Sequence, residues 1–275
     1  MVVEWDVDPE IFNLFGSVSV RYYSLLFMGG LLIGIEIVRR IWIKEGLSKE
    51  AFDKLTLYIF LATIIGARLG HCLFYEPSYY LAHPLEMILP ISYVDGELTF
   101  TGFLGLASHG GILAVFLTTL FFTKRNQLSF LSIIDKVAIG GAIAGSFIRL
   151  GNLMNSEIIG KPTNADFGFV FKRVDDIVRH PSQLYEAIAY FFIFLIILYI
   201  YRNKKNMKEG FVLGVFFTLL FGARFLIEFT KIDQVGFEEG MLLNMGQILS
   251  IPFFIIGLSF TIYKSNIRLS TSVNN

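Results

Sequence analysis

Seven stretches of mostly apolar residues alternate with short polar segments: residues 20–43, 54–75, 104–123, 131–151, 181–201, 210–229 and 241–262. An α-helix needs about 20 such residues to cross the hydrocarbon core of a bilayer. The pattern predicts an all-α polytopic membrane protein of seven transmembrane helices. Two longer connections, near 76–103 and 152–180, hold Pro, Gly, Asp and Ser and short alternating runs such as "FGFVFKR". They read as loops with some β structure. The expected organisation is a single integral membrane domain over 1–275, with 152–180 as a small head segment outside the membrane. No internal repeat and no soluble domain is visible. Gly30 and Gly34, and Gly141 and Gly145, are four apart and suit close approach of helices in lipid.

Composition agrees with that class. The chain of 275 residues is 54% hydrophobic and 16% aromatic, only 17% is charged, and its mean hydropathy is +0.62. Net charge is zero, so nothing points to a nucleic-acid partner. The single cysteine, Cys72, excludes an internal disulfide and reads as a small buried side chain. The acidic start "MVVEWDVDPE" has no Lys or Arg before Arg21, the opposite of a secretory leader, so no cleaved signal peptide is expected.

The basic residues matter through where they fall. Fourteen lie in or at the edges of the connections after spans one, three, five and seven, and six lie on the other side, with none from Glu76 to Phe103. Short cytoplasmic loops are enriched in Lys and Arg. The N-terminus is therefore expected outside and the C-terminus in the cytoplasm.

Three arginines remain, Arg68, Arg149 and Arg224, all in the outer parts of their spans on this topology. Each is expensive in lipid. Arg68 reads as a snorkelling charge or a structural ion pair. From Arg149, Asn152 and Ser156 follow on one helical face if the helix persists, with Asn155 and Glu157 beyond. Arg224 and Glu228 are four apart on span six, either an intrahelical pair or part of a shared site. His109, flanked by Gly110 and Gly111, reads as a proton carrier or a structural histidine. His180 precedes Pro181 and suits a helix start, whereas His71 and His83 have no evident partner. Scattered histidines make metal binding weak, and no phosphate-cradling nucleotide loop is present. No cofactor is expected. Arginines at headgroup depth suit a phosphate, which a guanidinium grips in a two-pronged fork. The residues alone thus describe a lipid-processing enzyme. A transporter or flippase with an anion site between helices is the alternative, although such proteins commonly carry inverted repeats.

Seven motifs run through the chain in order: "VRYYSLLFMGGLLIG", "GARLGHCLFY", "SHGGILA", "RLGNLMNSEIIGKPT", "RHPSQLYEA", "FGARFLIEF" and "MGQILSIP". With them the sequence resembles the prolipoprotein diacylglyceryl transferases, enzymes of lipoprotein biosynthesis in the bacterial inner membrane. The resemblance implies transfer of a diacylglyceryl group from phosphatidylglycerol to the lipobox cysteine of a prolipoprotein, with glycerol phosphate released on the outer side. It implies catalytic roles for His109, Arg149 and Arg224. Substrate-binding roles follow for Tyr23, Asn152, Asn155, Glu157, Gly160, Gln183 and Glu228. The chain departs from the family pattern at Ile148, Leu153-Met154 and Ser156, the last in place of a usual Gly, and at Leu220, where some members have Tyr.

Overall fold

The computed structural model describes residues 1–14, 18–89, 91–94, 97–100, 105–203, 207–232 and 240–265. The long helices are α1 (Tyr22–Lys44), α2 (Lys49–Phe74), α5 (Ser108–Arg125), α6 (Phe130–Met154), α7 (Ser182–Asn203), α8 (Phe211–Glu228) and α9 (Met245–Lys264). Two short helices, α3 (Pro77–Ala82) and α4 (Pro84–Ile88), follow α2. Among the described residues five helices, α2, α6, α7, α8 and α9, are long and apolar enough to cross a membrane. The other two expected spans correspond to α1 and α5, which are helical but not among those five. In α1 the last turns carry Glu36, Arg39, Arg40 and Lys44, and both arginines pair with Glu36 at 2.7 Å. Helix α5 has 18 residues, and the first residue of its expected span, 104, lies outside the described residues.

Local signals set the helix ends. Ser48 caps α2, its side chain accepting from Ala51 N. Asn244 and Gln247 form a reciprocal capping box on α9, each side chain accepting from the other's backbone N–H. Helix α8 has no side-chain cap of its own. Instead Asp135 on α6 accepts from Gly210 N and Leu213 N, both at 2.7 Å, and satisfies the orphan donors from a neighbouring helix.

The chain forms two compact units, residues 1–40 with 134–275, and residues 41–133. In the first, Gly30 and Gly34 of α1 face α6, where an added Cβ at Gly34 would come within 2.8 Å of Gly140 O. The expected small-residue contact is real, but its partner on α6 is Gly140; Gly141 has nothing within 4 Å. A three-stranded sheet has β6 (Gly168–Phe171) at its centre, parallel to β1 (Val2–Trp5) and antiparallel to β7 (Val178–Arg179). The 152–180 connection therefore has the anticipated β structure. Its completion by the N-terminal strand, paired from Val2↔Gly168 to Trp5↔Phe171, was not legible in the sequence. Leu153, Ile159, Phe169 and Phe171 pack beneath it with Val3 and Trp5, and Trp5 donates to Leu153 O at 3.1 Å. Strands β2 (Glu10–Leu14) and β3 (Val18–Arg21) pair antiparallel before α1.

In the second unit α2 packs along α5. Strands β4 (Ile91–Val94) and β5 (Glu97–Phe100) pair antiparallel there.

Candidate functional site

Helix α6 ends at Met154, so Ser156 does not continue the face of Arg149 and Asn152 as expected. The backbone turns sharply instead, with Ser156 and Ile158 both at φ +55°. That turn brings Glu157 back toward the helix end. Glu157 accepts from Asn152 Nδ2 at 3.2 Å and from Asn155 Nδ2 at 3.0 Å, and its carbonyl accepts from Gln183 Nε2 at 2.5 Å. Arg149 joins the same set, donating from one terminal nitrogen to Asn152 Oδ1 at 3.2 Å. Five polar residues from two motifs are thus linked by side-chain hydrogen bonds.

The principal partner of Arg149 lies in none of the expected site residues. Its Nε is 3.0 Å from Glu186 Oε2, an ion pair in which that oxygen accepts no aligned hydrogen bond. Glu186 is fully buried on α7, and its other oxygen, Oε1, meets Lys231 Nζ at 2.8 Å and the Tyr190 hydroxyl at 3.3 Å. Lys231 is one of the six basic residues that the sequence puts on the outer side, yet it is 2% exposed. Burial demands pairing, and Lys231 takes two carboxylates: Glu186 and, at 3.1 Å, Glu228 Oε2. Asn244 Nδ2 lies 3.5 Å from Glu228 Oε1. The intrahelical pair of Arg224 with Glu228, one of the two readings of their spacing, does not form; Glu228 pairs with Lys231 instead. Arg224 makes no ion pair or hydrogen bond with another described residue, although its charge acts on Glu186. The carboxylate in "RHPSQLYEA" was the available signal for Glu186: an acidic residue inside an otherwise apolar helix needs a cation.

Tyr23 sits where α1 meets α6, its ring close enough to Gly151 that an added Cβ there would approach Cδ2 to 2.7 Å. It feels the charges of both Glu157 and Arg149. Gly160 is a backbone crossing. Its N–H donates to His180 O at 3.0 Å, its carbonyl accepts from Arg179 at 3.3 Å, and a Cβ would reach within 2.7 Å of Ser182 Oγ. His180 is thus part of the approach to α7, as expected from its place before Pro181. Arg179 also grips Asp175 at 2.5 Å and holds that carboxyl below its ordinary value.

The second unit holds His109 on the first turn of α5, exposed. Beside it is a cavity of about 290 Å³ lined by Gly70, Phe74, Tyr75, Ala107, His109 and Gly110. Gly110 and Gly111 serve packing more than access to the ring: a Cβ on Gly110 would collide with the Gly66 carbonyl of α2, and one on Gly111 would touch Ala67 at 3.6 Å. Arg68 does not snorkel. It is 5% exposed, donates to the carbonyls of Glu86, Met87 and Gly105, and lies 4.8 Å over the Tyr80 ring, tying α3 and α4 to α2. His71 and His83 do have neighbours, stacking on Tyr75 and Tyr79 with ring centres 5.6 and 4.6 Å apart. Cys72 is fully buried, as expected. Among the described residues no group of His, Cys, Asp and Glu is arranged to hold a metal.

A helical membrane chain with a guanidinium seated among amides and carboxylates can hold an anion. Comparison with known proteins narrows the chemistry. Residues 9–263 match the family model of prolipoprotein diacylglyceryl transferase. The phosphatidylglycerol–prolipoprotein diacylglyceryl transferase of Bacteroides fragilis is 47% identical over 95% of both chains. That of Tolumonas auensis is 45% identical over 92% of this chain and 94% of its own. The Campylobacter lari enzyme is 34% identical over 95% of both. The chain therefore belongs to the prolipoprotein diacylglyceryl transferase family of multi-pass bacterial membrane enzymes.

Proposed function

We propose that Arg149 and Arg224 are the phosphate-facing groups with which this enzyme transfers the diacylglyceryl group of phosphatidylglycerol to the cysteine thiol of a prolipoprotein. The observation that carries the assignment is the seat of Arg149. Its side chain keeps 16% exposure while Glu186 holds it at Nε and Asn152 at one terminal nitrogen. A guanidinium held at Nε and at one terminal nitrogen, beside Tyr190 and still partly exposed, is oriented to meet an anion with its remaining donors.

In the reaction the cysteine sulfur forms a bond to the glyceryl carbon as that carbon's bond to the phosphate ester oxygen breaks. The pair of electrons leaves with glycerol phosphate, so negative charge grows on the phosphate oxygens. Arg149 and Arg224 oppose that charge where it develops. A thiol with pKa of about 8.5 is mostly protonated at neutral pH, and His109 takes its proton. Asn152, Asn155, Glu157 and Gln183 orient Arg149 and the headgroup through the chain of hydrogen bonds that joins them. Glu228 serves through Lys231, and Tyr23 lines the α1 side. Gly160 contributes by letting the backbone cross.

The proposed topology has seven spans, α1 and α5 included, with the N-terminus outside and the three-stranded sheet on the outer face. The bias of fourteen basic residues to six supports it. On that topology Arg149 and Arg224 lie near the ends of helices that run outward, so the site faces the outer leaflet of the inner membrane.

Purified protein in detergent, supplied with phosphatidylglycerol and a lipobox peptide and given no ion gradient, is expected to form the thioether and release glycerol phosphate. An anion transporter has no reaction to perform there, and absence of thioether from folded protein would overturn the proposal.

A further inference from the structure

Glu186 divides its two carboxylate oxygens between two cations. Oε2 faces Arg149 Nε at 3.0 Å and Oε1 faces Lys231 Nζ at 2.8 Å. A free carboxylate near an arginine closes on it with both oxygens, taking two nitrogens of the guanidinium. Here the second oxygen is engaged elsewhere, so the grip on Arg149 is confined to one point. Lys231 is fixed in turn by Glu228 at 3.1 Å and by its backbone, whose segment bridges Gly160. All three ionised side chains are 4% exposed or less, so none can trade its partner for water.

Charge follows the same logic. Arg149 and Lys231 meet Glu186 and Glu228, Glu157 joins the same set through Asn152, and Arg224 is a further positive charge acting on Glu186. An arriving phosphate then meets a guanidinium that is oriented but not saturated.

We propose that Glu186 and Lys231 are positioning residues: Lys231 draws off one Glu186 oxygen, so that Glu186 orients Arg149 at Nε without closing over the nitrogens that meet the phosphate. The inference rests on the phosphate role of Arg149. Removing Lys231 while leaving Glu186 charged lets the carboxylate clamp Arg149 and compete with substrate. Removing the Glu186 charge as well relieves the competition, because a neutral amide makes the weaker hydrogen bond.

The test is steady-state kinetics on the purified full chain with phosphatidylglycerol as the varied substrate and a lipobox peptide held in excess, with Tm measured alongside. Lys231→Met is expected to raise KM for phosphatidylglycerol at least about tenfold, the size of one competing charge-assisted hydrogen bond. The double variant Glu186→Gln with Lys231→Met is expected to bring KM back at least threefold toward wild type, and Lys231→Arg, which keeps the charge and the donors, to behave closer to wild type than either. A purely structural Lys231 would lower Tm and leave KM alone. Lys231→Gln keeps donors for both carboxylates, and it carries the same test if the methionine variant does not fold, with a rise of at least threefold expected. A folded neutral variant with KM within twofold of wild type overturns the inference, as does a double variant with KM no lower than the single. Arg149→Lys is run in the same assay. If it too is near wild type, the phosphate role itself has failed; if it is crippled while the Lys231 variants are normal, only the positioning role has.

Discussion

Replacing Arg149 by lysine separates a phosphate grip from a mere buried charge. Lysine keeps one positive charge, and its ammonium can still face Glu186, so the buried carboxylate does not lose its counter-ion. What disappears is geometric: the hydrogen bond to Asn152 Oδ1, at 3.2 Å, and the planar fork that can meet two phosphate oxygens at once. On the stability side, the loss is one hydrogen bond made by a charged donor, worth roughly 1.5–3 kcal/mol. On the catalytic side, losing a well-placed stabiliser of developing charge removes roughly 2.7–4 kcal/mol of transition-state stabilisation, or about 100- to 1,000-fold in rate. Arg149→Lys is therefore expected to insert and fold, with a modest fall in Tm, and to turn over phosphatidylglycerol at no more than about one hundredth of the wild-type rate. The assay is release of glycerol phosphate by the purified variant with a lipobox peptide, next to a thermal melt in the same detergent. A folded lysine variant that retains a third or more of the wild-type rate would falsify the phosphate fork and leave Arg149 as a structural cation.

Other expectations follow from single features. Ser156 holds φ +55° with its buried hydroxyl unpartnered, so Ser156→Gly is expected to stabilise the protein by about 1 kcal/mol, read as a higher Tm; an unchanged or lower Tm would count against strain at this turn. Gly160→Ala places a methyl within 2.7 Å of Ser182 Oγ and close to the His180 backbone, and overpacking of that kind costs roughly 1–3 kcal/mol, so both Tm and activity should fall. His109→Gln should keep the fold and lose most transfer at pH 7, with partial recovery as pH rises and the peptide thiol ionises unaided; a near-wild-type rate at pH 7 would remove the general-base role. Asp175 has its carboxyl lowered by Arg179, so its contribution is present above the unfolded carboxyl's value, about 3.9, and is lost as pH falls through the lower folded value. Asp175→Asn should accordingly lower Tm at pH 7, with the gap to wild type narrowing in acid.

The sequence by itself determined what depends on local order along the chain. Hydrophobic runs of membrane-crossing length gave the helices, because in lipid a continuous apolar run of about 20 residues satisfies its backbone within itself only as a helix. The distribution of Lys and Arg carried the expected orientation, and polar residues in apolar surroundings marked Arg149, Asn152, Asn155, Glu157 and Arg224. Partnership depends on distance in space, and that only the tertiary structure decided. Arg224 and Glu228 are four apart on one helix, yet Glu228 turns to Lys231 because that lysine is buried and must be neutralised. Glu186 sits 37 positions beyond Arg149, a separation with no periodicity to betray the pairing, and α7 brings it within 3.0 Å. The same holds for Asp135 capping α8 and for the first strand, which joins β6 across more than 160 residues. Buried charges choose their partners by packing, and packing is not written in any one stretch of sequence.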